Sequence, residues 1–266
     1  MSVLLIIPAR YASTRYPGKP LVMLRGATGV ERSLIRRSHD VAVSVPGVDR
    51  VVVATDDSRI ADATREFGAE VAMTPDTCRN GTDRCAIVAR EFGDEYDIIV
   101  NLQGDAPLTP PWFVTALIEA MRGDPDMMVA TPVLRCDAAS LAGFLEDRRR
   151  GRVGATTAVF DRSGRALYFS KEVLPYTGRP LGPDEDIPVF HHVGVYAYRR
   201  AALLDYSAWA PGRLETWEGL EQLCFMENGI PVQCIEVDAR GRTFWELNNP
   251  SDLPRLEGIL KVSGAE

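Results

Sequence analysis

The sequence has no run approaching the roughly 20 consecutive apolar residues of a membrane-crossing helix, so no membrane partner is expected. Its opening apolar stretch, Leu4 to Ile7, is too short for a signal peptide and leads straight into a polar loop. An excess of positive charge is also missing. The formal net charge is -7, with both signs interspersed, which argues against nucleic acid as a partner, because that binding rests on Lys and Arg neutralising phosphates. The 5 cysteines, Cys78, Cys85, Cys136, Cys224 and Cys234, are odd in number and contain no C-x-x-C pair. They are expected to be reduced thiols in a cytoplasmic protein. Repeats and low-complexity tracts are absent.

What is present suffices for a substantial core: 266 residues, 45% of them hydrophobic, as one large α/β domain or two intimately joined halves. Short apolar runs alternate with amphipathic stretches, a pattern of parallel strands covered by helices. Val3 to Ile7, closed by Pro8, and Val51 to Ala54 are predicted strands, as are Glu70 to Met73, Ile98 to Leu102 and Met128 to Leu134. Between them, Ile60, Ala61, Ala63, Thr64 and Phe67 share one helical face, and Gly68 supplies the stop. The first part is therefore expected to be a doubly wound nucleotide-binding unit, with ligands at the carboxyl ends of its strands.

Further strands are predicted at Thr156 to Phe160, Ala166 to Ser170 and Val193 to Tyr198, with Asp161 to Gly164 as a hairpin turn. The proline-rich stretch 175–190 is predicted to be a long surface loop. The expected organisation is a single domain over 1–266, in which a nucleotide-binding half (1–134) and an acceptor-binding half (135–266) share a sheet.

Three segments carry the chemistry. The loop after the first strand, from Pro8 and Ala9 to Leu21, holds Arg10, Arg15 and Lys19 within ten residues, with Ser13, Thr14 and Gly18 between them. A triphosphate needs such a set, because its charge must be offset while its α-phosphorus stays open. This loop is neither a Walker A loop nor a G-x-G-x-x-G fingerprint, and by itself it is equally compatible with a solvated basic loop. The second segment, Asn101-Leu102-Gln103-Gly104-Asp105-Ala106-Pro107, places Asp105 at the end of an apolar strand, where a carboxylate suits Mg²⁺. The third, Asn80-Gly81-Thr82-Asp83-Arg84, opens a helix and suits a base edge or a phosphate, or simply caps the helix.

Together these segments resemble the CMP-Kdo synthetase family, the 3-deoxy-manno-octulosonate cytidylyltransferases. The resemblance rests on I-I-P-A-R-Y-A-S-T-R-x-P-G-K-P-L, N-G-T-D-R and N-L-Q-G-D-x-P. It continues through Ala166-Leu167-Tyr168-Phe169-Ser170, His192-Val193-Gly194-Val195-Tyr196, Leu214-Glu215, Glu221-Gln222-Leu223 and Asn249-Pro250-Ser251-Asp252-Leu253. It implies a three-layer Rossmann-like nucleotidyltransferase fold with a mostly parallel sheet and a smaller mixed acceptor and dimerisation region. CTP as donor, a small acidic acceptor, Mg²⁺ and a homodimer are implied as well. Arg10, Lys19 and Asp105 are the expected catalytic residues, with Pro8, Ala9, Ser13, Arg15, Asn80, Gly81, Arg84 and Gln103 around the nucleotide. Lys171, His192, Tyr196 and Glu215 are expected near the acceptor.

Some positions depart from the family pattern. Its second metal-binding aspartate, in G-V-D-T-P, is replaced by Asn248, and Glu246, two residues earlier on the same face of a strand, is a candidate replacement ligand. Lys171 and Cys224 stand where the family has arginine, a change that weakens bidentate recognition of a carboxylate. Arg135, Trp217 and Trp245 are additions. A phosphonate acceptor therefore stands as an alternative to a sugar acid, and a non-catalytic nucleotide-binding protein as a second. A glycosyltransferase would need a D-x-D site, and Asp184-Glu185-Asp186 has that spacing within the proline-rich loop. Glu215, Glu218 and Glu221, spaced three apart, predict one side of a helix, mostly solvated.

Overall fold

A strand covered on both faces must be apolar at odd and even positions alike. Strand β1 (Val3–Ala9) is buried along its whole length. Leu4 and Ile6 enter one hydrophobic cluster, and Val3, Leu5, Ile7 and Ala9 enter another. The two clusters are the two faces of the central sheet in the computed structural model of the chain, which describes all residues except 13–15, 106, 154, 180, 183–184, 243–244, 246, 248 and 266. Each fully buried Leu, Ile or Val contributes about 1.5–3 kcal/mol, so β1 binds both helix layers to the sheet.

The remaining strands are β2 (Met23–Arg25), β3 (Glu31–Ser33), β4 (Arg50–Thr55), β5 (Glu70–Met73), β6 (Ile98–Leu102), β7 (Val129–Arg135), β8 (Thr157–Phe160), β9 (Ala166–Ser170), β10 (Phe190–His192), β11 (Val195–Arg199) and β12 (Val232–Glu236). The helices are α1 (Leu34–Val43), α2 (Ser58–Glu66), α3 (Gly81–Glu91), α4 (Pro111–Gly123), α5 (Ala138–Arg149), α6 (Arg200–Ala208), α7 (Arg213–Glu218), α8 (Gln222–Glu227) and α9 (Leu253–Ser263). None of the described helices is long and apolar enough to cross a membrane.

The main sheet has the order β5-β4-β1-β6-β11-β7-β10-β8-β9, with β12 added on β7. Strands β1, β4, β5, β6, β7, β8 and β12 run one way, and β9, β10 and β11 run against them. The sheet is thus mostly parallel in direction. Cys85, Ala86 and Val88 of α3, Leu203 and Tyr206 of α6, and Leu223 and Phe225 of α8 cover one face. Ile35 of α1, Ile60 of α2, and Phe113, Val114 and Leu117 of α4 cover the other. A separate two-stranded sheet, β2 with β3, packs with α9 around Leu24, Leu34, Leu256 and Leu260.

Strands β5, β6 and β9 have the predicted bounds. The first strand runs further than its apolar run: pairing with β4 carries it past Pro8 to Ala9, opposite Thr55. Helix α2 buries Ile60, Ala61 and Thr64, and Gly68 follows in the left-handed region at φ 82°. The turn at 161–164 is closed by the Asp161 amide donating to Arg165 O at 2.9 Å. No helix or strand occurs among the described residues of 175–189. Strands β10 and β12, of mixed polarity, and the short pair β2–β3 were not predicted.

Helix α3 is tied to the carboxyl ends of two neighbouring strands by Arg84. Its buried guanidinium meets Asp56 at 3.1 Å, just after β4, and Thr74 Oγ1, just after β5. Removing one partner of a buried pair strands the other charge, at about 3 kcal/mol or more. Urea unfolding of Arg84→Leu is expected to show a loss of that size, and the double variant Arg84→Leu/Asp56→Leu a smaller one.

Candidate active site

The loop after β1 folds back on itself. The Gly18 amide donates to Tyr11 O at 2.9 Å. Gly18 has φ 70°, and a Cβ there would stand 3.0 Å from the Tyr11 ring, so both backbone and space call for glycine. The turn delivers Lys19 to Asp105, with Nζ 2.6 Å from Oδ2. Arg10 follows β1 and is exposed. Ser13 and Arg15 lie outside the described residues.

The three predicted segments converge at the carboxyl ends of β1 and β6. A Cβ on Gly81 would meet the Gln103 amide at 3.1 Å and the Pro8 ring at 3.3 Å, and one on Gly104 would meet Pro8 O at 3.1 Å. Asn80 caps α3, its Oδ1 accepting from the Asp83 amide at 2.9 Å. Its Nδ2 donates to Tyr206 Oη at 2.5 Å, and Tyr206 in turn donates to Glu215 at 2.7 Å. Asn80 therefore links the donor segment to an acceptor candidate. Arg84 is brought to the same helix start, but its cation is committed to Asp56 and Thr74. The Leu247 amide donates to Asp105 O at 3.0 Å, so the C-terminal segment reaches the Asp105 turn. Glu246 and Asn248 themselves lie outside the described residues.

The acceptor candidates cluster beyond β6, around β11 and α8. Tyr196 lies opposite Asn101 in the β11–β6 register, and its hydroxyl donates to Gln222 Oε1 at 2.9 Å. His192 Nε2 lies 2.8 Å from Thr131 Oγ1, with the Phe169 and Tyr196 rings against it. Burial in that shell lowers its pKa to about 3, which leaves the ring neutral at ordinary pH. Lys171 donates its amide to Glu218 Oε2 at 3.0 Å, and its ammonium reaches Gly219.

The three glutamates do not form a solvated helix face. Gly219 ends α7 in the left-handed region, at φ 61°, and this break turns each carboxylate to a different partner. Glu215 is buried and accepts from Tyr206, Glu218 accepts from Ser170 at 2.7 Å, and Glu221 accepts from the Thr82 amide at 2.9 Å. Burial raises the Glu221 carboxyl. Sequence reasoning passed over Asn101, Glu221 and Gln222 as site residues. The one signal for Asn101 was a carboxamide inside an otherwise apolar strand.

Among the described residues, no group of three His, Cys, Asp or Glu side chains is placed to hold a metal. Asp186 is paired with Arg135 at 2.6 Å and Glu185 with Arg179, while Asp184 lies outside the described residues.

Residues 4–236 match the family described as cytidylyltransferase. The chain is 45% identical over 264 residues, 99% of both chains, to 3-deoxy-manno-octulosonate cytidylyltransferase of Maricaulis maris. The chain belongs to the CMP-Kdo synthetase family of CTP-dependent cytidylyltransferases. A mitochondrial relative from Arabidopsis thaliana, with the same enzyme name, is 35% identical over 96% of this chain and 82% of its own. Among solved structures, CMP:2-keto-3-deoxy-manno-octonic acid synthetase complexed with CTP matches 99% of this chain and 100% of its own, with a TM-score of 0.84 and 34% identity. Nucleotidyltransferases of this kind generally use a divalent metal.

His192 has a consequence for acid stability. Its pKa falls from 6.5 unfolded to about 3 folded, so between these values the unfolded chain binds the extra proton and stability drops as pH falls. The wild type is expected to lose about 2 kcal/mol more than His192→Gln between pH 7 and pH 5, measured by denaturant unfolding at both. Parallel losses in the two proteins would contradict a neutral His192.

Proposed function

We propose that the protein transfers CMP from CTP to a 2-keto sugar acid of the 3-deoxy-manno-octulosonate type and releases pyrophosphate. One observation carries this reading: Lys19 and Asp105, from the two most specific donor segments, meet at 2.6 Å beside Gln103, Gly81 and Pro8. The named relative alike over 99% of both chains supports the acceptor class.

In this reading the acceptor hydroxyl oxygen attacks the α-phosphorus of CTP. The bond from that phosphorus to the bridging oxygen breaks, pyrophosphate departs, and the hydroxyl proton passes to solvent. Lys19 and Arg10 offset the charge that builds on pyrophosphate. The Pro8–Ala9 backbone, Asn80, Gly81 and Gln103 hold the nucleotide, and Arg84 keeps the start of α3 in place from behind. Lys171, His192, Tyr196 and Glu215 shape the acceptor side, with His192 acting as a neutral hydrogen-bonding group.

Asp105 fits Mg²⁺, an ion that takes one or two protein carboxylates and completes its shell with phosphate and water. Its side chain is 28% exposed, open enough for an ion to reach. Bound there, Mg²⁺ would neutralise charge on the triphosphate.

A homodimer fits the same family reading. Leu167 on β9 and Trp217 on α7 are 58% and 83% exposed, apolar surface that a second copy would cover. The free cysteines fit the reducing cytoplasm.

With CTP, Mg²⁺ and 3-deoxy-manno-octulosonate, pyrophosphate release is expected. Lys19→Ala and Asp105→Asn should each slow it by about 100-fold or more without loss of the folded state by circular dichroism. Release with a small phosphonate and with no sugar acid would overturn the acceptor class.

A further inference from the structure

Strand β6 is buried at every position, yet its fourth residue is a carboxamide. Asn101 is 0% exposed, and neither Oδ1 nor Nδ2 has a hydrogen-bond partner among the described residues. An unmade buried hydrogen bond costs about 1–3 kcal/mol, and an apolar residue of the same shape would carry no such penalty. The position is therefore costly unless something arrives to complete it.

Its surroundings say where the missing partner comes from. Asn101 lies opposite Tyr196 in the β6–β11 register. The Tyr196 hydroxyl holds Gln222 Oε1, and Gln222 Nε2, in a side chain only 1% exposed, is also without a partner. Tyr196 thus stands between two incomplete carboxamides. Asn101 lies near the carboxyl end of β6, two residues before Gln103, and Gln222, the first residue of α8, is joined to it only through Tyr196.

We propose that Asn101 selects the acceptor by demanding a group that donates and accepts a hydrogen bond at once, a sugar hydroxyl. This rests on the cytidylyltransfer reading above and sharpens its acceptor. A hydroxyl donates to Oδ1 while accepting from Nδ2 or from Gln222 Nε2. A phosphonate dianion offers acceptors only, and would set its charge against Oδ1. Sites built to hydrogen-bond a substrate hydroxyl reject analogues that lack it far more strongly than apolar pockets reject a misfit.

The test compares wild type, Asn101→Leu and Asn101→Ser, in kinetics with CTP and 3-deoxy-manno-octulosonate and in thermal unfolding of the ligand-free proteins. In Asn101→Leu, kcat/KM for the sugar acid is expected to fall about 10-fold or more, with the KM for CTP changed less than about two-fold. Its Tm should rise, because the unmade hydrogen bonds are gone. Asn101→Ser, which keeps one donor and one acceptor, should recover part of the lost kcat/KM. An active wild type with an unchanged sugar-acid kcat/KM in Asn101→Leu overturns the role of Asn101 and leaves the proposed function standing. A lower Tm with both substrates weakened alike means a structural asparagine, and overturns it too. A wild type that uses a phosphonate and no hydroxyl-bearing acid overturns both readings.

Discussion

Strand β11 pairs antiparallel with β6, from Val195 opposite Leu102 to Arg199 opposite Ile98. Through that pairing a segment far downstream is set against the strand that leads to Asp105. In an uninterrupted parallel sheet the next neighbour of β6 would offer its carboxyl end. Here β11 offers its amino end instead, so His192, Tyr196 and the loop between β10 and β11 arrive at the edge where β1 and β6 end. The helices after β11 then fold back over the same face, and Asn80 reaches Tyr206 and Glu215 across the gap. The loops after β1 and β6 need only local turns, whereas the cluster around β11 and α8 depends on this one register.

Two ion pairs near the site differ in what they do. Arg84 and Asp56 have side-chain exposures of 4% and 15%; their contact is shielded, and it joins α3 to the strand ends. Lys19 and Asp105 are more open, at 15% and 28%, and a pair partly in water contributes only about 0–1 kcal/mol. Such a pair is poorly explained as a device for stability. It keeps a carboxylate and an ammonium a hydrogen bond apart beside the carboxyl ends of β1 and β6, and separating them costs little.

What was legible in the sequence follows from how local the governing physics is. The runs Val3 to Ile7 and Ile98 to Leu102 announce buried strands because burial on both faces leaves no polar position, and Gly68 announces its helix end through one backbone angle. The loops that carry Lys19 and Asp105 were legible too, because each follows such a strand. Strands β10 and β12 were not. Phe190-His191-His192 and Val232 to Glu236 are strands through their partners in β7 and β8, and no local pattern encodes those partners. The glutamates misled for a related reason. A spacing of three matches a helix turn, but Gly219 breaks the helix, and the carboxylates answer to Tyr206, Ser170 and the Thr82 amide instead. The contacts of Arg84 with Asp56 and Thr74 are likewise not legible locally, because those partners meet it only at the strand ends.

The departures from the family pattern have less bearing on the acceptor once they are placed in space. Cys224 is fully buried, with its thiol against Glu215, and burial pushes that thiol up to about 12, so the exchange of arginine for cysteine leaves an uncharged group beside Glu215. Trp245 lies under the Arg255 guanidinium at 3.4 Å, beside the cluster of α9 and the β2–β3 pair. Arg135 is spent on Asp186 and Glu236, and Trp217 faces outward. Lys171 stands at the edge of the same cluster, its amide on Glu218, and it keeps a positive charge there. A pocket rebuilt for a phosphonate would need new cations converging on β11 and α8. What converges there is Tyr196, Gln222, Asn101 and a neutral His192, groups that suit hydroxyls.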